Sequence, residues 1–365
     1  MLMNLGRQTA SRKLDHLRIC LEKDIERGNA GFDDIRLLHN AVPECKMDEI
    51  RLQVRFLGAC FGSPLFISAM TGGHPETTEV NRTLARAAEK YRLGMGVGSQ
   101  RAAIEDPSLI DTFAVVREEA PHAFIVANLG IVQLKRHGID WAREAVRMIR
   151  ADAIAIHLNF LQEAIQPEGD HDATGCLAAL SALCRESPVP VVVKETGSGI
   201  SFGTAHQLAS AGARAIDTGG YGGTSWAAIE AVRAGESGKP ADKNLAALGN
   251  DFSEWGISTI VSVYAARKAG VPVIASGGIR SGIDIAKALA MGSSLGGMAL
   301  PLLKPASLGF ESLCETIDRI HDQMRISMFL TGSSRVSDLT RAGYLVSGET
   351  RSYLRQIDRM EEKWK

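Results

Sequence analysis

Eight short apolar runs punctuate the chain from about residue 64: Leu65–Ala69, Leu93–Val97, Phe124–Ala127, Asp152–His157, Val191–Lys194, Ala215–Asp217, Val273–Ser276 and Leu295–Ala299. Between and after them lie segments over 77–91, 106–119, 140–150, 174–186, 204–211, 253–269, 282–291 and 307–324, rich in Ala, Arg, Glu and Leu at helical spacing. Strands alternating with helices predict parallel strands and right-handed crossovers. Eight such units close into a (β/α)8 barrel more readily than they extend, with a doubly wound sheet as the alternative. The eighth run, carrying Gly296-Gly297, is the weakest strand on propensity.

The fourth run shows the two faces such a strand needs. Ala153, Ala155, His157 and Asn159 point one way, and Ile154, Ile156 and Leu158 the other. One face is small and then polar, the other bulky. The run continues as HLNFLQEAIQPEGD (157–170), which sets His157, Asn159, Gln162 and Glu163 within seven positions and stops at Pro167. Polar groups gathered at the C-terminal end of a buried strand mark an α/β active site.

Outside the barrel, assigned to residues 64–332, the pattern predicts an N-terminal cap over 1–63, made of a charged helix (Arg12–Arg27) and a hairpin around Gly58. A helical tail follows over 333–365, with charged periodicity at Thr350–Lys363 that suits packing on a neighbouring subunit. The polar stretch 235–251 is long for a βα connection and reads as a mobile lid.

Composition narrows the function. Of 365 residues, 45% are hydrophobic, enough for a large core. A net charge of −1 gives no global basic field for nucleic acid or an anionic membrane. Six scattered cysteines without C-x-x-C suggest reduced thiols, neither a zinc site nor a disulfide framework. With no apolar leader at the N-terminus and no run near 18 apolar residues, a soluble cytoplasmic protein is expected.

Each strand exit carries a small residue, a glycine or a hydrogen-bonding group, which together describe a lined pocket. Gly277-Gly278 and Arg280 before a helix near Ser281 offer backbone N–H groups and a guanidinium. They form either a tight turn or, favoured in this slot, a phosphate site. With Lys194 pointing inward, the mouth suits a flat phosphorylated ring, flavin mononucleotide being the leading candidate. Arg12, Lys13 and Arg101 look like a second anion site. Glu163 is either a hard-oxygen ligand for Mg²⁺ beside phosphate or a carboxylate answering a helix dipole.

Several stretches taken in order carry a specific resemblance over nearly the whole chain: RKLDH (12–16), SAMTGG (68–73), VGSQRAAIEDP (97–107), ANLG (127–130), HLNFLQEAIQPEGD (157–170), VKETGSGIS (193–201), GGTSWAAIE (222–230), ASGGIRSG (275–282) and MFLTG (328–332). The chain resembles the type 2 isopentenyl-diphosphate isomerases. The resemblance implies interconversion of isopentenyl and dimethylallyl diphosphate with reduced FMN, NADPH or NADH as reductant, and Mg²⁺, in a homo-oligomer (tetramer or octamer). By position, Ser68, Ala69, Met70, Thr71, Ser99, Asn128, Lys194, Thr224, Gly277, Gly278, Ile279, Arg280, Ala299 and Leu300 would hold FMN. Arg12, Lys13, Ser99, Gln100, Arg101, His157, Asn159 and Gln162 would meet the substrate, and Glu163 the metal. Gln162, Glu230 and His157 are the catalytic candidates, with Glu230 one turn after Trp226. Two departures show: Phe160 stands where proline is common, and Thr218 where serine is usual. Neither is expected to touch a residue with a chemical role.

Competing readings are weaker. A 2-hydroxy-acid oxidase wants a His base and an Arg pair at the sixth and seventh exits, and the sixth has neither. An inosinate-dehydrogenase-like enzyme needs a cysteine after the sixth strand, and 219–251 has none. A flavin-binding scaffold would leave Arg12, Lys13, Gln162 and Glu163 without a purpose.

Overall fold

The computed structural model describes residues 2–240 and 242–364, with side chains described from Arg12 onward. Eight parallel strands close a barrel in sequence order: β1 (Leu65–Ile67), β2 (Gly94–Gly96), β3 (Phe124–Gly130), β4 (Ala153–Leu158), β5 (Val191–Glu195), β6 (Ala215–Asp217), β7 (Val273–Ser276) and β8 (Leu295–Met298). Closure runs through Gly296 opposite Leu65 and Gly297 opposite Phe66. The predicted alternation decides which side chain goes where. Phe66, Phe124, Val126, Ala153, Ala155, Val192, Ala215, Ile274 and Leu295 fill the interior, while Ile154, Ile156, Val191, Val193 and Ile216 pack outward on the helices.

Packing overrides the poor propensity of β8. A Cβ on Gly296 would lie 2.7 Å from Ile285, and one on Gly297 would lie 2.5 Å from Ser68 Oγ. The two glycines let the helix Gly282–Ala290 press on the sheet from outside and keep the mouth open inside.

The two halves of the N-terminal extension close opposite ends of the barrel. The hairpin Val54–Phe56/Ala59–Phe61 sends Phe56 and Phe61 into the interior cluster. Helix α1 (Leu2–Glu22) lies across the C-terminal mouth, bringing Lys13, His16 and Cys20 to it. It ends earlier than the expected Arg27 because residues 25–27 have other partners. Arg27 N–H donates to Gly223 O at 2.9 Å, and Ile25 O accepts from Ser225 N–H at 2.9 Å.

The stretch 235–251, expected to be a mobile lid, is largely helical. After α2 (Phe160–Ile165), helix α3 (Trp226–Glu236) is followed by α4 (Asp242–Asp251), packed back on it. Gly249 permits the approach, since a Cβ there would lie 2.7 Å from Ala227 O. The C-terminal segment docks on its own chain. Tyr344–Val346 pairs antiparallel with Ile35–Leu37, and α5 (Gly348–Trp364) packs on Thr259–Ala266. Lys268 bridges to Asp358 at 3.0 Å, and Tyr264 OH donates to the same carboxylate at 2.8 Å. No described helix is long and apolar enough to cross a membrane.

Candidate active site

Two adjoining cavities open at the mouth under α1. The first, about 1010 Å³ with its open side, is lined by Ser68, Ala69, Met70, Thr71, Lys194, Thr224, Gly277, Gly278, Ile279, Arg280, Ala299 and Leu300, twelve of the residues expected around a flavin. The second, about 750 Å³, is lined by Arg12, Lys13, Ser99, Arg101, Asn128, His157, Asn159, Gln162 and Glu163. Ser99, expected at both the flavin and the substrate, and Asn128, expected at the flavin, line the second cavity. The two share Lys13, His16, Ala69, Met70, Lys194, Thr196 and Trp226, so whatever fills one touches the other across that seam.

Gln100, expected among the substrate ligands, turns away. It is fully buried, donating from Nε2 to Ala145 O at 2.8 Å and accepting Asn128 N–H at 2.9 Å. Its amide fixes the β2 and β3 exits, because a buried amide must spend its groups on the protein.

In the first cavity, Gly277 (φ +102°) and Gly278 (φ +65°) turn the chain after β7 so closely that a Cβ on either would lie about 2 Å from Gly220 O or Gly222 O. Bare backbone faces the opening there. Arg280 flanks it and pairs with Glu26 from the strap after α1. Ser68 Oγ is buried without a hydrogen-bond partner. Buried polar atoms are rarely left so, and an orphan beside a glycine cradle fits a phosphorylated ligand.

The strand before that cradle is tied down by Thr218, which as expected touches no residue assigned a chemical role but clips the backbone beside the cradle. Its Oγ1 accepts Ser276 N–H at 3.0 Å and donates to Ser276 O at 3.1 Å. Thr259 Oγ1 donates to Gly277 O at 2.6 Å. No sequence motif marks Thr259, which lies in no strand exit. Phe160 opens α2, the first helical position where proline is also favoured.

The second cavity explains the HLNFLQEAIQPEGD stretch. Helix α2 ends because Gln166, before Pro167, is extended. The chain then folds back, and Asp170 N–H reaches Glu163 at 2.8 Å. Glu163 also accepts from Asn159 Nδ2 at 3.0 Å and Gln166 Nε2 at 2.6 Å. Asn159 Oδ1 is buried and unpartnered beside it. Among the described residues no group of three or more His, Cys, Asp or Glu is disposed to hold a metal. A single carboxylate fits Mg²⁺, which fills its shell with phosphate and water.

Cations crowd this cavity. Enclosure, then Arg12 and Arg101, lower Lys13 to about 7. Enclosure, then Lys194, Lys13 and Arg12, lower His157 to about 3, so it is neutral near pH 7. Its Nδ1 lies 2.7 Å from Asn128 Oδ1, and Asn128 Nδ2 donates to Val97 O at 3.0 Å, which makes Nδ1 the protonated nitrogen. Arg12 reaches Glu168 at 3.3 Å and Arg101 reaches Glu105 at 2.8 Å.

Gln162 and Glu230, nominated together, are in contact. Gln162 Nε2 donates to Glu230 Oε1 at 2.8 Å. Glu230 is fully buried and also takes His16 Nε2 at 2.9 Å and Arg233 Nε at 2.7 Å. Burial pushes this carboxyl up, but these donors outweigh it and hold it at about 2. A carboxylate so held is a fixed charge that orients its neighbours, and Gln162 is the member of the pair that reaches the cavity. His16 meets Trp226 edge-on, with centroids 5.0 Å apart. Arg233 and Glu168, joined at 2.8 Å, were missed from sequence, although Arg233 lies one helical turn from Glu230.

Relatives decide the family. An isopentenyl-diphosphate delta-isomerase of Methanoregula boonei is 59% identical over 97% of this chain and 98% of its own length. The chain belongs to the isopentenyl-diphosphate delta-isomerase family. Proteins of that name from Methanosarcina barkeri (49% identical; 95% of each chain) and Halobacterium salinarum (47%; 96% of this chain, 97% of the relative) agree. Residues 138–346 also match the FMN-dependent dehydrogenase family, which supports FMN as the cofactor. Among solved structures, a lactate oxidase from Pediococcus acidilactici superposes with TM-score 0.65 at 15% identity over 95% of this chain and 94% of its own. A mandelate oxidase gives 0.61 at 16% over 87% and 90%. These two share the barrel fold with this isomerase-family chain.

Proposed function

We propose that the protein interconverts isopentenyl and dimethylallyl diphosphate, with FMN in the first cavity and the diphosphate in the second. The observation that carries this is the seam: a glycine-cradled cavity and a cation-lined cavity meet at Met70, Lys194 and Trp226. Moving a double bond needs a proton added at one carbon and another removed. Reduced FMN supplies proton-donating and proton-accepting chemistry when bound, and NADPH or NADH supplies its reducing equivalents. Gly277–Arg280 and Ser68 would hold its phosphate end and Lys194 its ring. Arg12, Lys13, Arg101 and Asn159 would bind the diphosphate, with Glu163 contributing the protein carboxylate to Mg²⁺.

Gln162, held by Glu230, lines the second cavity and orients the alkene end or passes a proton. The neutral His157 presents Nε2 as an acceptor, able to take a hydrogen bond from a neighbouring ammonium or from a water on the Mg²⁺, which makes it a positioning group more than an acid. Trp226 and α1 exclude water over the reacting carbons. We also place the protein in the cytoplasm, in line with its six free thiols, and carry the homo-oligomer over from the family resemblance alone.

The test is direct. Purified protein with FMN, NADPH, Mg²⁺ and isopentenyl diphosphate should yield the allylic isomer. Oxidised enzyme should be inactive, and one stoichiometric reduction should restore many turnovers. In deuterated water the product should carry solvent deuterium. Full activity of the oxidised enzyme, or one NADPH consumed per turnover, refutes the proposal.

A further inference from the structure

Asp217 is a carboxyl at 2% exposure that none of the chemistry above employs. It ends β6 in register with Lys194 on β5, so the two side chains leave neighbouring strands toward the same face. That face is the barrel interior, where both line a small cavity with Ala69, Gly96, Val126 and Ile274. This cavity shares Ala69 and Lys194 with the flavin-sized one at the mouth.

The hydrogen bonds of Asp217 are one-sided. Oδ1 accepts from Ser276 Oγ and, at 3.4 Å, from Gly219 N–H. Oδ2 accepts from no described residue, and among the described residues Asp217 makes no ion pair. Lys194 is short of a partner in the matching way. Its ammonium donates to Glu195 O at 2.7 Å and makes no ion pair among the described residues. The adjacent Glu195 carboxylate is taken up by the backbone N–H groups of residues 196–199, at 2.6 Å from Thr196 and Gly197. Asp217 is the carboxyl left to answer this lysine.

A buried carboxyl without compensation is costly, and an apolar residue at the same strand position would avoid the cost. Burial leaves the Asp217 carboxyl above its ordinary value on balance, and the Lys194 charge is the foremost influence drawing it back. We propose that Asp217 is the buried counter-charge of Lys194, a positioning residue that holds the ammonium at the floor of the first cavity and places a fixed negative charge beneath the flavin. The flavin half of this rests on the FMN reading of that cavity; the lysine half does not.

Asp217→Asn keeps the shape and the acceptor for Ser276 while deleting the charge, and Ser276→Ala deletes the hydroxyl donor while keeping the charge. The first measurement is the midpoint potential of bound FMN, titrated against a reference dye. Reduction adds negative charge to the flavin, so removing a carboxylate below it should raise the potential in D217N and leave S276A at the wild-type value. An unchanged potential in D217N, or an equal shift in S276A, overturns the charge.

The second measurement needs no flavin: the thermal unfolding midpoint of the apoprotein in a cycle of D217N, Lys194→Met and the double variant. Lys194→Met should lower the midpoint more in wild type, where it strands Asp217, than in the D217N background. Additive shifts overturn the pairing. A wild-type protein that takes up no FMN would overturn the flavin reading of the cavity, and the cycle would still decide the pair.

Discussion

Replacing Glu230 by Gln should cost about 2–3 kcal/mol of stability at neutral pH, and the cost should vanish in acid. The side chain is fully buried and receives Gln162, His16 and Arg233 within 2.9 Å. Its carboxyl sits at about 2 against an ordinary 4.5. At roughly 1.36 kcal/mol per unit, that separation is worth about 3 kcal/mol. Burial also lowers His16, so the imidazole is neutral near pH 7 and gives Glu230 an N–H without a charge. That trims the figure to about 2–3 kcal/mol.

The sign follows from a depressed carboxyl. The stabilisation is fully present above about 4.5 and is lost as pH falls through about 2. Urea unfolding of wild type and Glu230→Gln at pH 7, 5 and 3 measures it, with equal slopes required before midpoints are compared. The gap between the two proteins should be widest at pH 7 and clearly narrower at pH 3. A gap that is the same at pH 7 and pH 3, or that widens in acid, refutes the assignment of a permanently ionised Glu230. Turnover should also fall, on the order of 10²–10⁴-fold if Gln162 depends on this anchor, with FMN still bound.

Arg101→Ala should raise KM for the diphosphate roughly ten- to a hundredfold, the equivalent of about 1.5–3 kcal/mol for a charge-assisted bond, and leave FMN content unchanged. An unchanged KM with weakened FMN binding would put that arginine at the other phosphate. Glu163→Gln should retain FMN but need more Mg²⁺ for half-maximal activity; wild-type Mg²⁺ dependence would remove the residue from the metal site. Thr218→Val deletes both bonds to the Ser276 backbone, and should cost about 1–3 kcal/mol and weaken FMN binding. A variant with wild-type melting and FMN affinity would show that the glycine cradle does not rely on that clip.

Much of the architecture was legible because it follows from period alone. Alternation in Ala153–Leu158 decides inside from outside, and eight such runs close. The end of α1 was misread because charge periodicity continues to Arg27, while tertiary bonds to Gly223 and Ser225 pull residues 25–27 out of the helix. Helix α4 was missed because its apolar signal is thin, with Leu245 and Leu248 half-buried at helical spacing, and its docking depends on Gly249. In the site, motif stretches located the cavity walls. They did not reveal that Gln100 turns inward, since a side chain's direction after a strand exit is set by what it meets, here Ala145 O and Asn128 N–H.

The mouth divides into two arcs, and that division explains how one barrel can serve oxidases and an isomerase. The exits of β7, β8 and β1 are small or bare and enclose the first cavity. Holding a phosphorylated ring there asks for glycine, a hydroxyl and one cation, which specify a cofactor and leave the reaction open. The exits of β2 and β4 carry Arg101, His157, Asn159 and Gln162, and α1 brings Arg12 and Lys13 across to meet them. Enclosure first, and the surrounding cations after it, drive Lys13 and His157 toward neutrality, a cost accepted where a strongly charged ligand will come. A 2-hydroxy acid, with one carboxylate, would not repay that concentration of charge, whereas a diphosphate with its metal would. On the proposed reading, the first arc supplies the flavin seat, and the second arc with its overlying helix selects the chemistry.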